Sequence, residues 1–559
     1  MEGLQSTPSP YKKRQSELVH KISEAAYHDS LLESGLWFHN DVRNNFYYAS
    51  YLFAAAVDIQ AEVSFDREEA KRKAEAVLLE VLMLQNQQPG TILYGHWPLG
   101  LSPIPRESKP HELPVEIMGS LMAYFFSEYR GWMNADLQIK FQTALTHIYH
   151  SDFFRKPVMN YGHHEAKYTA AKLIFGTLFE DEELIEDGKR SLKETLTYIQ
   201  SKGMPEYGCL PWFWHWVQAF TCALELMSPE DEEIQHELGE MLDYLWSVRA
   251  QFYLQGSWVG AHSRGWPHDV PGDANVLHDY VQFGDFQLPE IMPRTEYAGF
   301  LFYEAPASAR KVALDRRIPM EVAKVTQKVI PTDPEPQPLL HSYAYITEDY
   351  AAGGMWERVE EFDNEQLRWT YSLPITERAG TNQLYFFHPG EGYNEGDPRH
   401  QSGYGEVLYH KSVVMELYPV PKGEPNQLIG VLPKGEWHKE QQSLFGQVGN
   451  VYFAVYLSHS YELIERSNFI EVSEGGLPGG VVVEAISVKE AAKLGIGGLK
   501  EFADKMMVQS PAFSLSETTP LQAEYTSLSG DRLQLQTGEK KTVKATINGS
   551  PVSFDKYSV

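Results

Sequence analysis

The stretch VIPTDPEPQPLL, Val329 to Leu340, decides how this chain is divided. Its four prolines, Pro331, Pro334, Pro336 and Pro338, fall within eight residues. Each removes an amide donor and fixes φ, so the segment reads as an extended, non-helical connector. The apolar pattern differs on its two sides. From about residue 11 to 255, stretches such as SELVHKISEAAYH, VRNNFYYASYLFAAAVDIQ, REEAKRKAEAVLLEVLMLQ and DEELIEDGKRSLKETLTYIQ space their apolar residues as amphipathic helices do. Helix-start residues appear at Ser64 to Asp66 and at Ser228 to Glu230, and Gln88-Pro89-Gly90 interrupts the pattern. The helices pair through alternately short and long loops. That predicts an (α/α) toroid of helical hairpins whose long loops gather on one face and form a cleft. No fixed-period solenoid motif is present.

On the C-terminal side, HSYAYITEDYA, EQLRWTYSLPI, NQLYFFHP, SVVMELYPV, VYFAVYLSH, GGVVVEAISV and DRLQLQTG are short and rich in β-branched or aromatic residues. Gly, Pro, Asn and Asp separate them, which predicts antiparallel sheets. One helix is expected in VKEAAKLGIGGLKEFADKMM, and Asn548-Gly549 signals a hairpin turn. The predicted architecture is thus multidomain, α then β. An (α/α) toroid covers 1–328, a proline-rich linker 329–340, and an antiparallel β-sandwich 341–559.

A chain of 559 residues, 43% hydrophobic, is too long for one core and apolar enough to build two or three. The opening MEGLQSTPSPYKKRQSELVH has no signal-peptide apolar stretch, and no apolar run is long enough to span a bilayer. With only Cys209 and Cys222, a disulfide framework is not expected and a reducing, cytoplasmic setting is. The formal charge of −28 argues against a nucleic-acid partner. It also means that an acidic ligand must be drawn by a local cluster of Arg, Lys and His. Aromatic residues make up 13%, and several sit among Gly, Pro and His, where they suit sugar-stacking surfaces as well as core.

Two segments carry the strongest chemical signal. In NYGHHEAKY, Asn160 to Tyr168, a helix entered at Gly162 puts His164 and Tyr168 on one face, where imidazole and phenol can serve as acid and base. His163 is the adjacent alternative. In GSWVGAHSRGWPHDVPGD, Gly256 to Asp273, a loop displays Trp258, His262, Arg264, Trp266, His268 and Asp269. Arg264 suits a carboxylate and the tryptophans suit a sugar. Weaker candidates are WFHNDVRNN, Trp37 to Asn45, with His39, Asn40, Asp41, Arg43 and Asn44, and YGHWP, Tyr94 to Pro98, with His96 and Trp97. LPWFWHWV, Leu210 to Val217, adds Trp212, Trp214, His215 and Trp216, and reads mainly as helical core. The loop from Tyr385 to Glu406 holds His388, Arg399, His400 and Tyr404. Walker, Rossmann, HExxH, EF-hand and GxSxG motifs are absent, so nucleotide-driven and zinc-peptidase chemistry are not expected. The His and Asp residues of 262–279 leave a metal conceivable, although no pair there has diagnostic ligand spacing.

A helical toroid followed by antiparallel sheets, with Asn, His, Tyr and Arg in the helical half's loops, resembles polysaccharide lyases of the heparinase II/III, alginate-lyase and chondroitin AC/hyaluronate-lyase type. SRGW, Ser263 to Trp266, is similar to the Arg-bearing loop of the hyaluronate-lyase group. Asn160 with His163 or His164 and Tyr168 resembles the family's Asn, His and Tyr set, and ITEDYAAGGM, Ile346 to Met355, looks like the start of its sheet domain. The His-to-Tyr spacing is shorter than in that group, and a second Arg after SRG is missing. Such enzymes are usually exported; an intracellular enzyme acting on imported oligosaccharides would reconcile that habit with the absent signal.

The resemblance implies β-elimination on a uronate-containing saccharide without a cofactor. Asn160 and Arg264 would hold the carboxylate, His163 or His164 would neutralise it or act as base, and Tyr168 would act as base or acid. Asn40, Asn44, Trp97, His215, Trp258, His262, Trp266 and His268 complete the expected substrate contacts. Two other functions stay open. A glycoside hydrolase would draw paired carboxylates from Asp41, Glu116, Glu165, Asp269 and Asp273. A non-catalytic carbohydrate-binding protein would need no proton transfer at all.

Overall fold

The fold comes from a computed structural model that describes residues 9–266, 276–288, 297–327, 339–359, 365–376, 380–516, 520–538 and 544–559. Among the described residues, nine long helices build most of the N-terminal half, α1 Pro10–His28, α2 Val42–Val57, α3 Arg67–Met83, α4 Leu113–Tyr129, α5 Ala135–Tyr149, α6 His163–Leu178, α7 Glu182–Lys202, α8 Leu210–Leu226 and α9 Glu232–Gln251, followed by two short ones, Leu277–Phe283 and Ala307–Leu314. Helices α2, α4, α6 and α8 pack on one another, and α1, α3, α5, α7 and α9 pack outside them, giving the inner and outer layers of an α/α toroid. Sequence explains the split. Helix α8 buries 12 of its 17 residues and α4 buries 12 of 17, because both are apolar nearly all round. Helix α7 buries 7 of 21 along a single stripe. Asp66, Asn134 and Asp181 cap α3, α5 and α7 by accepting a backbone N–H in the first turn.

Among the described residues, three antiparallel sheets form the C-terminal half. An eight-stranded sheet runs as a meander from Met320–Gln327 to Gln383–Phe387 and is completed by Gln427–Pro433, Phe469–Gly475 and Tyr461–Glu465. A six-stranded sheet faces it, so the two make a sandwich. Tyr350 and Tyr371 cross between them to the carbonyls of Ala485 and Val483, and the Trp369 indole crosses to the Glu416 carboxylate. A five-stranded sheet, Ala512–Ser514 to Ser550–Pro551, docks on the six-stranded one through Tyr525 and Glu484.

Three expectations change. The first sheet strand, Met320–Gln327, precedes the proline-rich segment and pairs along its whole length with Leu339–Ile346. The sheets therefore begin before residue 328, and the segment connects two neighbouring strands of one sheet rather than two domains. Residues 328–338 themselves lie outside the described residues. The expected helix near residue 490 is two, Val488–Lys493 and Leu499–Met507, with Gly495 at φ +78 between them. Within the loop at 256, Ser257–Trp258 is a strand paired with Tyr253–Leu254.

The halves meet along residues 203–208 and 257–265. Ser257 and Trp258 bond to Leu373 and Ser372, His262 pairs its backbone with Leu367, and the Met204 carbonyl accepts Thr326 Oγ1. A largely apolar cavity of about 260 Å³ lies between them, walled by Met204, Tyr207, Phe252, Trp258, Val325 and Tyr343. No helix among the described residues is long and apolar enough to cross a membrane.

Candidate active site

The N-terminal turns of the inner helices come together at one end of the toroid, and each brings a polar side chain. Glu116 in the first turn of α4 is the centre. Its Oε2 accepts Lys167 Nζ at 2.6 Å and His164 Nδ1 at 2.7 Å, and its Oε1 accepts the Tyr168 hydroxyl at 2.9 Å. Glu116 and Lys167 expose 4% and 2% of their side chains, whereas His164 exposes 44%. Burial would raise the Glu116 pKa, but the Lys167 charge and the His164 bond outweigh it and hold the carboxyl far below its usual range. Burial, opposed by Glu116, lowers the Lys167 pKa, and burial together with the Glu116 charge raises that of Tyr168. Arg43, in the first turn of α2, lies within electrostatic reach of both Glu116 and Lys167. It is held in a fork by Asp41, the N-cap of α2, with Nη2 2.6 Å from Oδ2.

His163 opens α6 beside a different carboxylate. Glu206 accepts both its backbone N–H at 2.8 Å and its Nδ1 at 2.6 Å, and also the Trp216 indole N–H at 2.9 Å. Gly162, the N-cap, supplies no side chain, so Glu206 takes over the capping. Burial lowers the His163 pKa to about 4 despite Glu206, which keeps this ring neutral at neutral pH. His163 stacks on Trp212 at 5.0 Å and 9°, lies 4.1 Å from the His164 ring, and meets His215 edge-on at 5.6 Å. Just ahead, Glu165 binds three successive backbone N–H groups, of Met159, Asn160 and Tyr161, at 2.5 to 2.9 Å. That clamp holds Tyr161 at φ +54 and presents the exposed Asn160 amide.

From Trp212 the contacts pass to the other sequence-predicted loop. The Arg264 guanidinium lies over the Trp212 ring at 6.0 Å and over Trp266 at 5.1 Å. The opposite half adds Arg399, 4.0 Å from the Trp266 ring and forked onto Asp397. Backbone bonds fix the loop: Gly265 N–H donates to Glu365 O at 2.7 Å and Ser263 N–H to Tyr207 O at 3.3 Å. Gly208 permits this approach, since at φ +59 a Cβ there would sit 1.8 Å from the Ala261 carbonyl oxygen.

His163, His164, Tyr168, His215, Arg264 and Trp266 are thus joined by one run of contacts, with Asn160 beside it. Other expectations need correction. Trp97 is wholly buried, donating its indole N–H to Val81 O, so it is toroid core and offers no face to a sugar. Trp258 is 4% exposed and stacked on Phe252, and His262 is 2% exposed with its backbone paired to Leu367; both belong to the seam between the halves. Asn40 is exposed and accepts the Asp41 N–H, and Asn44 lies half-buried in the first turn of α2; both serve that helix start. His268, Asp269 and Asp273 lie outside the described residues.

Lys167 and Glu206 are the site residues that sequence reasoning left unassigned, while Trp212 and Arg399 stood only among its weaker candidates. A trace existed for Lys167 and for Glu116: each is a charge set in an otherwise apolar helix face, which burial tolerates only with a partner. Of the carboxylates considered for hydrolysis, the three within the described residues are engaged, Asp41 by Arg43, Glu165 by three amides and Glu116 by three side chains. No group of three or more His, Cys, Asp or Glu among the described residues is arranged to hold a metal ion.

No family model and no curated protein matches this chain. Among solved structures it is similar to the chondroitin AC lyase of Streptomyces coelicolor A3 in complex with chondroitin sulphate, at 10% identity over 98% of this chain and 90% of that one, TM-score 0.46. A mutant of that lyase gives 10% identity over 98% and 90%, TM-score 0.38. A heparinase III gives 9% over 97% and 89%, TM-score 0.31.

Proposed function

We propose that this chain is a carbohydrate-active lyase that cleaves a uronate-containing oligo- or polysaccharide by β-elimination, with His164 as the base. One observation carries the reading: the half-exposed His164 ring has its Nδ1 on the buried Glu116 carboxylate. An ionised carboxylate only accepts, so Nδ1 carries the proton, and in the neutral ring the Nε2 lone pair is left for a substrate.

Elimination needs the uronate carboxylate neutralised so that the C5 proton becomes acidic. Arg264, whose guanidinium lies over two indoles, and the exposed Asn160 amide are the proposed holders, and the converging helix N-termini favour the same negative charge. His164 Nε2 takes the C5 proton, the released electron pair forms the C4–C5 double bond, and the C4–O bond breaks with its electrons on the departing oxygen. The imidazolium then returns its proton to that oxygen. Tyr168 is a poor donor for this step because its hydroxyl already serves Glu116 and a phenolate there would face that carboxylate; its role is to steady Glu116. Trp212 and Trp266 hold the Arg264 guanidinium in place through their rings. The reaction needs no metal or organic cofactor.

Hydrolysis is the second reading. It requires one carboxyl group kept protonated, and Glu116 is shifted in the opposite sense, which favours elimination. The test is a screen of uronate-containing polysaccharides and their oligosaccharides. Near-ultraviolet absorbance from an unsaturated uronate is expected, lost with His164→Ala. New reducing ends without absorbance would establish hydrolysis instead.

A further inference from the structure

We infer that Lys167 is a positioning residue that sets the pH at which His164 works, by sharing the Glu116 carboxylate with it. This rests on the reading of His164 as the base. Lys167 Nζ and His164 Nδ1 contact the same oxygen, Oε2, at 2.6 and 2.7 Å. Behind the exposed imidazole there is thus a buried, fixed pair of opposite charges.

Among the described residues, the charged and titratable groups around it come from several elements. Helix α4 brings Glu116, with Glu112 just before it, and α6 brings His163, Glu165, Lys167 and Tyr168. Helix α2 brings Arg43, the loop before α4 brings His96, the loop before α6 brings Lys156 over the Tyr168 ring at 5.4 Å, the loop before α8 brings Glu206 on His163, and α8 brings His215 against His163. Of these, Glu116 bonds His164, and Lys167 opposes the Glu116 charge from full burial, with Arg43 adding a contribution through space.

The consequence is electrostatic. With Lys167 in place the buried pair is neutral, and an imidazolium beside it gains only the difference between a near carboxylate and a slightly farther ammonium. Without Lys167, the imidazolium becomes the counter-ion of a buried carboxylate and its proton is held more tightly. Without the Glu116 charge, the ammonium remains and repels the imidazolium. The two deletions therefore act with opposite sign on one titration, which a purely structural role for Lys167 would not produce.

The experiment measures kcat/KM for elimination against pH, and separately titrates the His164 ring by nitrogen-15 NMR of histidine-labelled full-length protein without substrate. For Lys167→Met the acid limb and the ring titration are expected to move up by one pH unit or more, with KM nearly unchanged. For Glu116→Gln both should move down. The double variant Lys167→Met/Glu116→Gln, again neutral behind the ring, should return both to near the wild-type position. It also serves if Lys167→Met alone, with its uncompensated carboxylate, does not fold. Unmoved titrations in the folded variants would overturn the inference. Because the NMR arm needs no turnover, its expected shifts support the coupling even if no uronate is eliminated, an outcome that removes only the base reading.

Discussion

Tyr168 and the two adjacent histidines are where the proposed chemistry is most exposed to test. Tyr168→Phe removes one hydroxyl that donates to Glu116 at 2.9 Å and little volume. If the phenol only steadies Glu116, kcat should fall by less than about tenfold, the scale of one charge-assisted hydrogen bond acting through a second group. Loss of all turnover with an unchanged melting temperature would transfer the proton-donor role to Tyr168. The histidines should separate cleanly. His164→Ala deletes the base and should lower kcat by about 10²-fold or more with little change in stability, since the ring is half exposed. His163→Ala should lower stability as well, because Glu206 would be left buried with the indole N–H of Trp216 and a single backbone N–H as donors. Comparing kcat with melting temperature for the two variants decides it. The sequence placed His164 and Tyr168 on one face because they are four apart on a helix, and that spacing is local. Glu116, 48 residues before His164, has no local relation to it, and the pairing that tells the two histidines apart became visible only in the fold.

At the scale of elements, the site follows from how helices start. Four inner helices deliver their first turns to one place, and their starts are finished in three ways: Asp41 caps α2, Glu206 stands in for the missing cap of α6, and prolines occupy the first turns of α4 and α8. Loop 203–208 carries Glu206 and is gripped from the sheet half through Thr326 and Gln366, so it links His163 to both halves. Gly208→Ala tests that link. A Cβ at 1.8 Å from the Ala261 oxygen, at φ +59, cannot be accommodated without moving the loop. A loss of about 2 kcal/mol or more is expected from denaturant unfolding, with activity falling further than stability. Wild-type activity in a destabilised Gly208→Ala protein would show that the loop does not position His163. Elements with a strong local signature, such as the Asn548-Gly549 hairpin between Ile547 and Ser550, were legible in the sequence. Met320–Gln327 was not, because its burial is irregular and half its residues are polar, so period-2 alternation is weak.

For the whole molecule, the division into a helical and a sheet half was legible from the change in apolar period, while the seam between them was not. Its contacts, such as His262 with Leu367, join residues about 100 apart with no shared pattern. The molecule's response to acid follows from groups buried in the uncharged state. His278, buried with its ring tilted against Trp214 at 5.0 Å, has its pKa lowered to about 3 by burial alone. An unfolded histidine titrates near 6.5. Between these values the unfolded chain binds a proton that the folded chain refuses, so stability is fully present above about pH 6.5 and is lost as pH falls toward about 3. His163 acts in the same sense down to about 4, but Glu206 shares its titration and a substitution there would disturb the site. His278→Phe isolates the effect, because Phe keeps an aromatic ring against Trp214 and takes up no proton. Unfolding by denaturant, followed at the helical signal over a pH series, should show the variant gaining on wild type by about 1.4 kcal/mol per pH unit as pH falls through the window. Carboxylates that titrate in the same range contribute to both proteins and cancel in the difference. Parallel curves for variant and wild type across that range would mean that His278 is protonated in the folded protein and that the acid response has another source.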